Sequence, residues 1–143
     1  MRLLIASDGS DASQHALERL LGLCRDWGGD HAIHLVNVQQ PIAHADAFGL
    51  TAGMDGPMLD KLGRNELLRA EQHLSKHGTD YTSVVRIGPT AHEIADYAEE
   101  IGADMIVLGT KGRSNFANVL VGSVAQRLPS LTKRAVLLIP VGE

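Results

Sequence analysis

The amino-acid sequence predicts one α/β domain spanning residues 1–143, built as a parallel sheet of five strands with helices on both faces. Three observations carry that prediction. First, strand-length segments recur five times, and Leu3–Ala6 and Met105–Leu108 among them are uninterrupted apolar runs. Such runs are the pattern of strands buried on both faces of a sheet. Second, segments of helical period separate the strands one by one, and strict β-α-β alternation produces right-handed crossovers and parallel neighbours. Third, 143 residues suffice for one domain with a substantial core and need no disulfide or metal to hold it. The order of the strands along the sheet is not contained in this pattern.

Leu3 to Ser7 reads as the first strand. Asp8-Gly9-Ser10-Asp11 is a turn that supplies an N-cap, and the first helix follows with Leu17, Leu20, Leu21, Cys24 and Trp27 on one face until Gly28-Gly29 ends it. Ala32 to Val38 is the second strand, and Pro41 marks its exit. Residues 39–57 have no periodicity, and Gly49, Gly53, Gly56 and Pro57 predict a mobile loop there. Met58 to His77 is the second helix, with Leu59, Leu62, Leu67, Ala70 and Leu74 as its stripe and Gly78 as its stop. Tyr81 to Ile87 is the third strand. Thr90-Ala-His-Glu93 has capping-box spacing and opens a third helix with Ile94, Ala98 and Ile101 inward and Gly102 at its end. The fourth strand follows, and a fourth helix begins at Ser123, which has capping-box spacing to Gln126. Pro129 denies that helix an N–H only six residues on, so it should be kinked or short. Ala135 to Ile139 is the fifth strand.

The last third holds the most informative stretch: Asp104-Met-Ile-Val-Leu-Gly109-Thr-Lys-Gly112, nine residues, then Gly122-Ser123-Val-Ala-Gln126. A strand ends at Gly109, a glycine loop follows, and a helix begins at Ser123. Glycine there permits positive φ, or lets a ligand approach where a Cβ would block it. The helix start contributes unbonded N–H groups and the positive end of its dipole. Strand, loop and helix N-terminus together describe an anion site, best suited to phosphate.

The spacing Gly-x2-Gly-x9-Gly-Ser resembles the nucleotide-binding signature of the universal stress protein family, in its ATP-binding subclass. Gly109, Gly112, Gly122 and Ser123 match it without a gap, and the likeness runs from Leu3–Asp8 to Val136–Pro140. The resemblance implies the strand order 3-2-1-4-5, as in adenine nucleotide alpha hydrolase-like folds. Strands one and four are then adjacent where the winding reverses, a point at which ligands bind beyond the strands' carboxyl ends. Asp8 and Gly109 stand at those two ends. The resemblance further implies an ATP site, with Mg or Mn as an accompanying ion, lined by Ala6, Ser7, Asp8, Val38, Leu108, Gly109, Lys111, Gly112, Arg113, Gly122, Ser123, Val124 and Ala125. Gly122 and Ser123 would donate to phosphate, Asp8 would accept at the base and ribose end or serve only as a helix cap, and the backbone of Val38 would meet adenine. Lys111 and Arg113 either neutralise phosphate or stand as solvated charge. The implied role is a nucleotide-responsive regulatory switch, with slow hydrolysis at most, because no general base or arginine finger can be named. The implied assembly is a homodimer through residues 135–141.

Composition bounds the alternatives. Lys111, Arg113, Arg127, Lys133 and Arg134 face only Glu143 in residues 105–143, a net +4, which leaves −8 on residues 1–104. The overall acidity speaks against a nucleic-acid surface. Cys24 is the sole cysteine, which excludes an internal disulfide and suits a reducing compartment; its place on the apolar helix face makes it a buried thiol. The apolar run Leu3–Ala6 is too short for a signal peptide, and no stretch reaches membrane-spanning length, so a cytoplasmic protein is expected. His73 and His77 have i, i+4 spacing for a metal but no evident third ligand. No P-loop, dinucleotide fingerprint or activated nucleophile is present. Two other functions stay open: a ligand-free dimeric module, and an enzyme that adenylates a substrate.

Overall fold

The structure is a computed structural model and describes residues 1–41, 56–110 and 122–140. In chain order its elements are β1 (Arg2–Ala6), α1 (Asp11–Trp27), β2 (Ala32–Gln39), α2 (Gly56–Lys76), β3 (Tyr81–Ile87), α3 (Thr90–Ile101), β4 (Met105–Gly109), α4 (Ser123–Leu131) and β5 (Ala135–Ile139). Every strand pairing is parallel, and the order across the sheet is β3-β2-β1-β4-β5. This is the order that the resemblance implied. Leu4 of the central strand lies between His34 of β2 and Ile106 of β4.

The period of two along each strand divides the core into two layers. On one face Leu3 and Ile5 of β1, Ile33 and Leu35 of β2 and Val107 of β4 meet Leu17 and Leu20 of α1 and Leu67, Ala70 and Leu74 of α2. On the other face Leu4, Val36, Ile106 and Leu108 meet Ile94, Ala95 and Ala98 of α3 and Ala125 and Leu128 of α4. β1 is buried on both sides, as its uninterrupted apolar run requires. Cys24 is half-buried against the first layer, and burial pushes its thiol pKa up, which suits a packing role.

Four expectations need correction. Trp27 leaves the apolar face and is 43% exposed at the end of α1. Leu62 is 37% exposed, and the inward position belongs to Gly63. The helix lies so close to the sheet there that a Cβ on Gly63 would come within 2.6 Å of Val85 and 2.8 Å of the Asn37 Oδ1 atom. The capping box at Thr90 does not form. The cap of α3 is Pro89, the Thr90 hydroxyl donates to Gln40, and the Glu93 carboxylate is held by Arg86 at 3.0 Å, so it cannot reach back. At α4 the cap is Gly122 rather than Ser123, which removes the second capping box.

α4 is short, as expected, with nine residues and Pro129 inside. Proline returns no hydrogen bond to the carbonyl four residues back, and the helix ends two residues later. The loop expected over 39–57 falls mainly on residues 42–55, outside the described residues. Among the described residues, no helix is long and apolar enough to cross a membrane.

Candidate functional site

The parallel pairing of β1 with β4 brings their carboxyl ends together at the centre of the sheet. From β1 the chain passes through Ser7 and Asp8 into a tight turn. The Ser7 N–H donates to Val36 at 2.9 Å and so extends the pairing with β2. The Asp8 Oδ1 atom accepts from the Ser10 N–H at 2.9 Å, and the Ser10 hydroxyl caps α1 by accepting from the Ser13 N–H at 3.2 Å. The turn therefore supplies a cap as the sequence predicted, and Ser10 is the capping residue.

From β4 the chain leaves at Gly109 and Thr110. The Thr110 N–H donates to Ile139 of β5 at 3.1 Å, and the Gly122 N–H donates to the Thr110 carbonyl at 2.5 Å. This second bond seats the start of α4 against the end of β4. Gly122 is extended, with φ −67° and ψ 164°, so its backbone makes no demand for glycine. The cap has no side chain, no side-chain hydrogen bond closes the helix start, and the first turn carries no acidic residue. The first N–H groups of any helix lack intrahelical acceptors, so an end built like this one favours an anion.

Of the residues singled out in the sequence, Ala6, Ser7, Asp8, Leu108, Gly109, Gly122, Ser123, Val124 and Ala125 stand on these two strand ends and on the first turn of α4. Ser123 is exposed, Val124 half-buried and Ala125 buried. Val38 lies on β2 opposite Arg86 of β3 and packs partly against the second core layer. Lys111, Gly112 and Arg113 lie outside the described residues. Lys133 and Arg134 precede β5, at the amino ends of the strands, and Arg134 makes two 3.0 Å bonds to Glu99. Those bonds hold the Glu99 carboxyl below its usual pKa. The rings of His73 and His77 stack at 4.3 Å, with Glu18 3.8 Å from His73, yet no group of three ligating side chains among the described residues could hold a metal.

The sequence reading missed a buried polar group beneath the Ser7–Ser10 turn. Asn37 and Gln39 of β2 and Glu66 of α2 form it, and Asn37 is only 1% exposed. The available signal was two amides at i, i+2 on a strand face otherwise made of Ile33 and Leu35.

Comparison with known proteins agrees with this architecture. The family model of the universal stress protein family matches residues 1–140. Universal stress protein MJ0531 of Methanocaldococcus jannaschii is 29% identical over 128 residues, covering 89% of this chain and 74% of that protein. Universal stress protein YxiE of Bacillus subtilis is 26% identical over 146 residues, covering 96% and 97%. Among solved structures, that of MJ0577 superposes with a TM-score of 0.82 at 20% identity, covering 99% of this chain and 96% of its own. A universal stress protein in complex with cAMP gives 0.69 at 22% identity, covering 97% and 96%. An Arabidopsis thaliana family protein with AMP bound gives 0.66 at 16% identity, covering 99% and 92%. At these identities the structural likeness is one of fold. With the family model matched over nearly its whole length, the chain belongs to the universal stress protein family.

Proposed function

We propose that this chain binds an adenine nucleotide, ATP, in the crevice beyond β1 and β4 and acts as a nucleotide-responsive regulatory switch. The observation that carries the reading is the bond from Gly122 to Thr110. It sets a helix start without a side-chain cap beside the end of the strand adjacent to the one that delivers Asp8. In this reading the phosphates lie on the N–H groups of Ser123, Val124 and Ala125, with Gly122, whose own N–H is taken by Thr110, as the cap without a side chain. Gly109, Gly112, Lys111 and Arg113 belong to the same site. Asp8 and Ser7 accept at the ribose and base, the Val38 backbone meets adenine, and Ala6 and Leu108 form the floor. The complexes of two fold neighbours with cAMP and AMP support the nucleotide class.

A Mg or Mn ion travelling with ATP would be held mainly by phosphate oxygens and water. A homodimer through residues 135–141 belongs to the same reading, because β5 is the last strand of the sheet and is apolar. A thermal-shift series with ATP separates this function from a ligand-free module. At a hundred times the dissociation constant, binding adds about 2.7 kcal/mol to stability, a shift of several degrees. An unchanged melting temperature at millimolar ATP contradicts the proposal.

A further inference from the structure

We propose that Asn37, Gln39 and Glu66 form a clamp that fixes the Ser7–Gly9 turn and thereby positions Asp8 for the nucleotide; the inference rests on the nucleotide reading above. The Asn37 Nδ2 group donates to the Ser7 carbonyl at 2.9 Å and to the Glu66 Oε1 atom at 3.1 Å. The Gln39 Nε2 group donates to the Asn37 Oδ1 atom at 2.8 Å and to the same Glu66 oxygen at 2.8 Å. All four amide N–H bonds are thus committed. Turning the Asn37 amide over would set its oxygen against two acceptors, the Ser7 carbonyl and the Glu66 carboxylate, so the network admits one orientation.

Glu66 reaches the turn at two points. Through Asn37, the Glu66 side chain holds the carbonyl before Asp8. The Glu66 backbone carbonyl meets the residue after Asp8, where Gly9 has φ +82° and a Cβ would lie 3.1 Å from that oxygen. Glu66 therefore stands on both sides of Asp8, bonded through Asn37 on one side and close against Gly9 on the other. With Asn37 almost wholly buried, loss of its amide leaves the Ser7 carbonyl and Gln39 without their partner in a buried site. The turn then relaxes while the phosphate end, carried by β4 and α4, is untouched. Asn37, Gln39 and Glu66 are positioning residues that act through Asp8.

The test compares wild type, Asn37→Leu, Glu66→Leu and Glu66→Gln by calorimetry with ATP and with inorganic triphosphate. Hydrogen exchange of residues 7–13 is measured in parallel on the empty proteins. The two leucine variants should weaken ATP about tenfold, the scale of one buried hydrogen bond to a charged group. Triphosphate affinity should stay within twofold. Glu66→Gln keeps the accepting oxygen and should bind ATP nearly as wild type. In an Asp8→Ala background, Asn37→Leu should add nothing further. Exchange at the Ser10 and Ser13 amides should quicken in Asn37→Leu while α3 and β5 stay protected. Unchanged exchange there, or an equal loss of ATP and triphosphate affinity, overturns the clamp. Wild-type protein that binds no ATP overturns the nucleotide reading, and with it the clamp's role toward Asp8, whereas the exchange result still decides whether the clamp orders the turn.

Discussion

The N–H of Gly122 donates to the carbonyl of Thr110, so the cap of α4 is fastened directly to the end of β4 across the eleven residues between them. That bond seats the helix start against the end of β4, and in the proposed function it forms one wall of the nucleotide crevice. Gly122→Val tests what the wall is for. An extended φ and ψ accept valine without strain, so the circular dichroism spectrum should be unchanged. The branched side chain would stand where phosphate must approach, and the thermal shift with ATP should vanish. Normal ATP binding by this variant would show that phosphate lies elsewhere.

Gly63 is predicted to be intolerant of any side chain. Gly63→Ala places a methyl within 2.6 Å of Val85 and 2.8 Å of Asn37. Neither neighbour can retreat far, since Val85 packs against the core and Asn37 is locked by its hydrogen bonds. Overpacking of this kind costs about 1–3 kcal/mol, more than the gain in helix propensity of about 1 kcal/mol. Urea unfolding should show a lower midpoint at an unchanged slope, and a variant more stable than wild type would refute the close approach of α2.

His34 should make the fold acid-sensitive. Its Nδ1 atom is buried and has no hydrogen-bond partner among the described residues. Burial, and secondarily the charge of Arg2, holds its pKa below the ordinary value. Between the folded and unfolded pKa values the unfolded chain binds more protons, so stability rises with pH through that window. It is lost as pH falls below about 6.5. His34→Leu should lose less stability than wild type between pH 7.5 and 5, measured by chemical unfolding at each pH. Parallel curves for the two proteins would remove His34 from the account.

How legible these features were depends on how local their causes are. Strand positions were readable because apolar runs such as Met105–Leu108 end at glycine, and the turn Asp8–Asp11 was readable because capping chemistry is local. Leu62 misled because it sits one position from the true stripe. The inward place goes to Gly63, whose advantage appears only once β2 and β3 lie against it. The capping boxes misled for a related reason. Glu93 has the right spacing to Thr90, but Arg86 of a neighbouring strand takes its carboxylate. The group of Asn37, Gln39 and Glu66 joins residues 29 positions apart, and no local pattern announces it. At the site, both strand ends and the start of α4 were found from spacing, while Lys111, Gly112 and Arg113 lie outside the described residues.

Assembly gives a further expectation. β5 ends the sheet, with Val136, Leu137 and Leu138 only half-buried. Light scattering of the wild-type protein should give twice the chain mass of 15.3 kDa. Leu137 also packs against the core, so charge placed there would confuse dissociation with unfolding. Ala135 is exposed at the strand's start, and Ala135→Lys should weaken the dimer while leaving the fold. A wild-type monomer at high concentration would dismiss the interface.

The central claim is adenine nucleotide binding between β1 and β4, and calorimetric titration with ATP and GTP tests it most directly. The account predicts saturable one-site binding of ATP, at least tenfold weaker binding of GTP, and loss of that preference in Asp8→Ala. Equal affinity for the two nucleotides, or no heat from either, would contradict it.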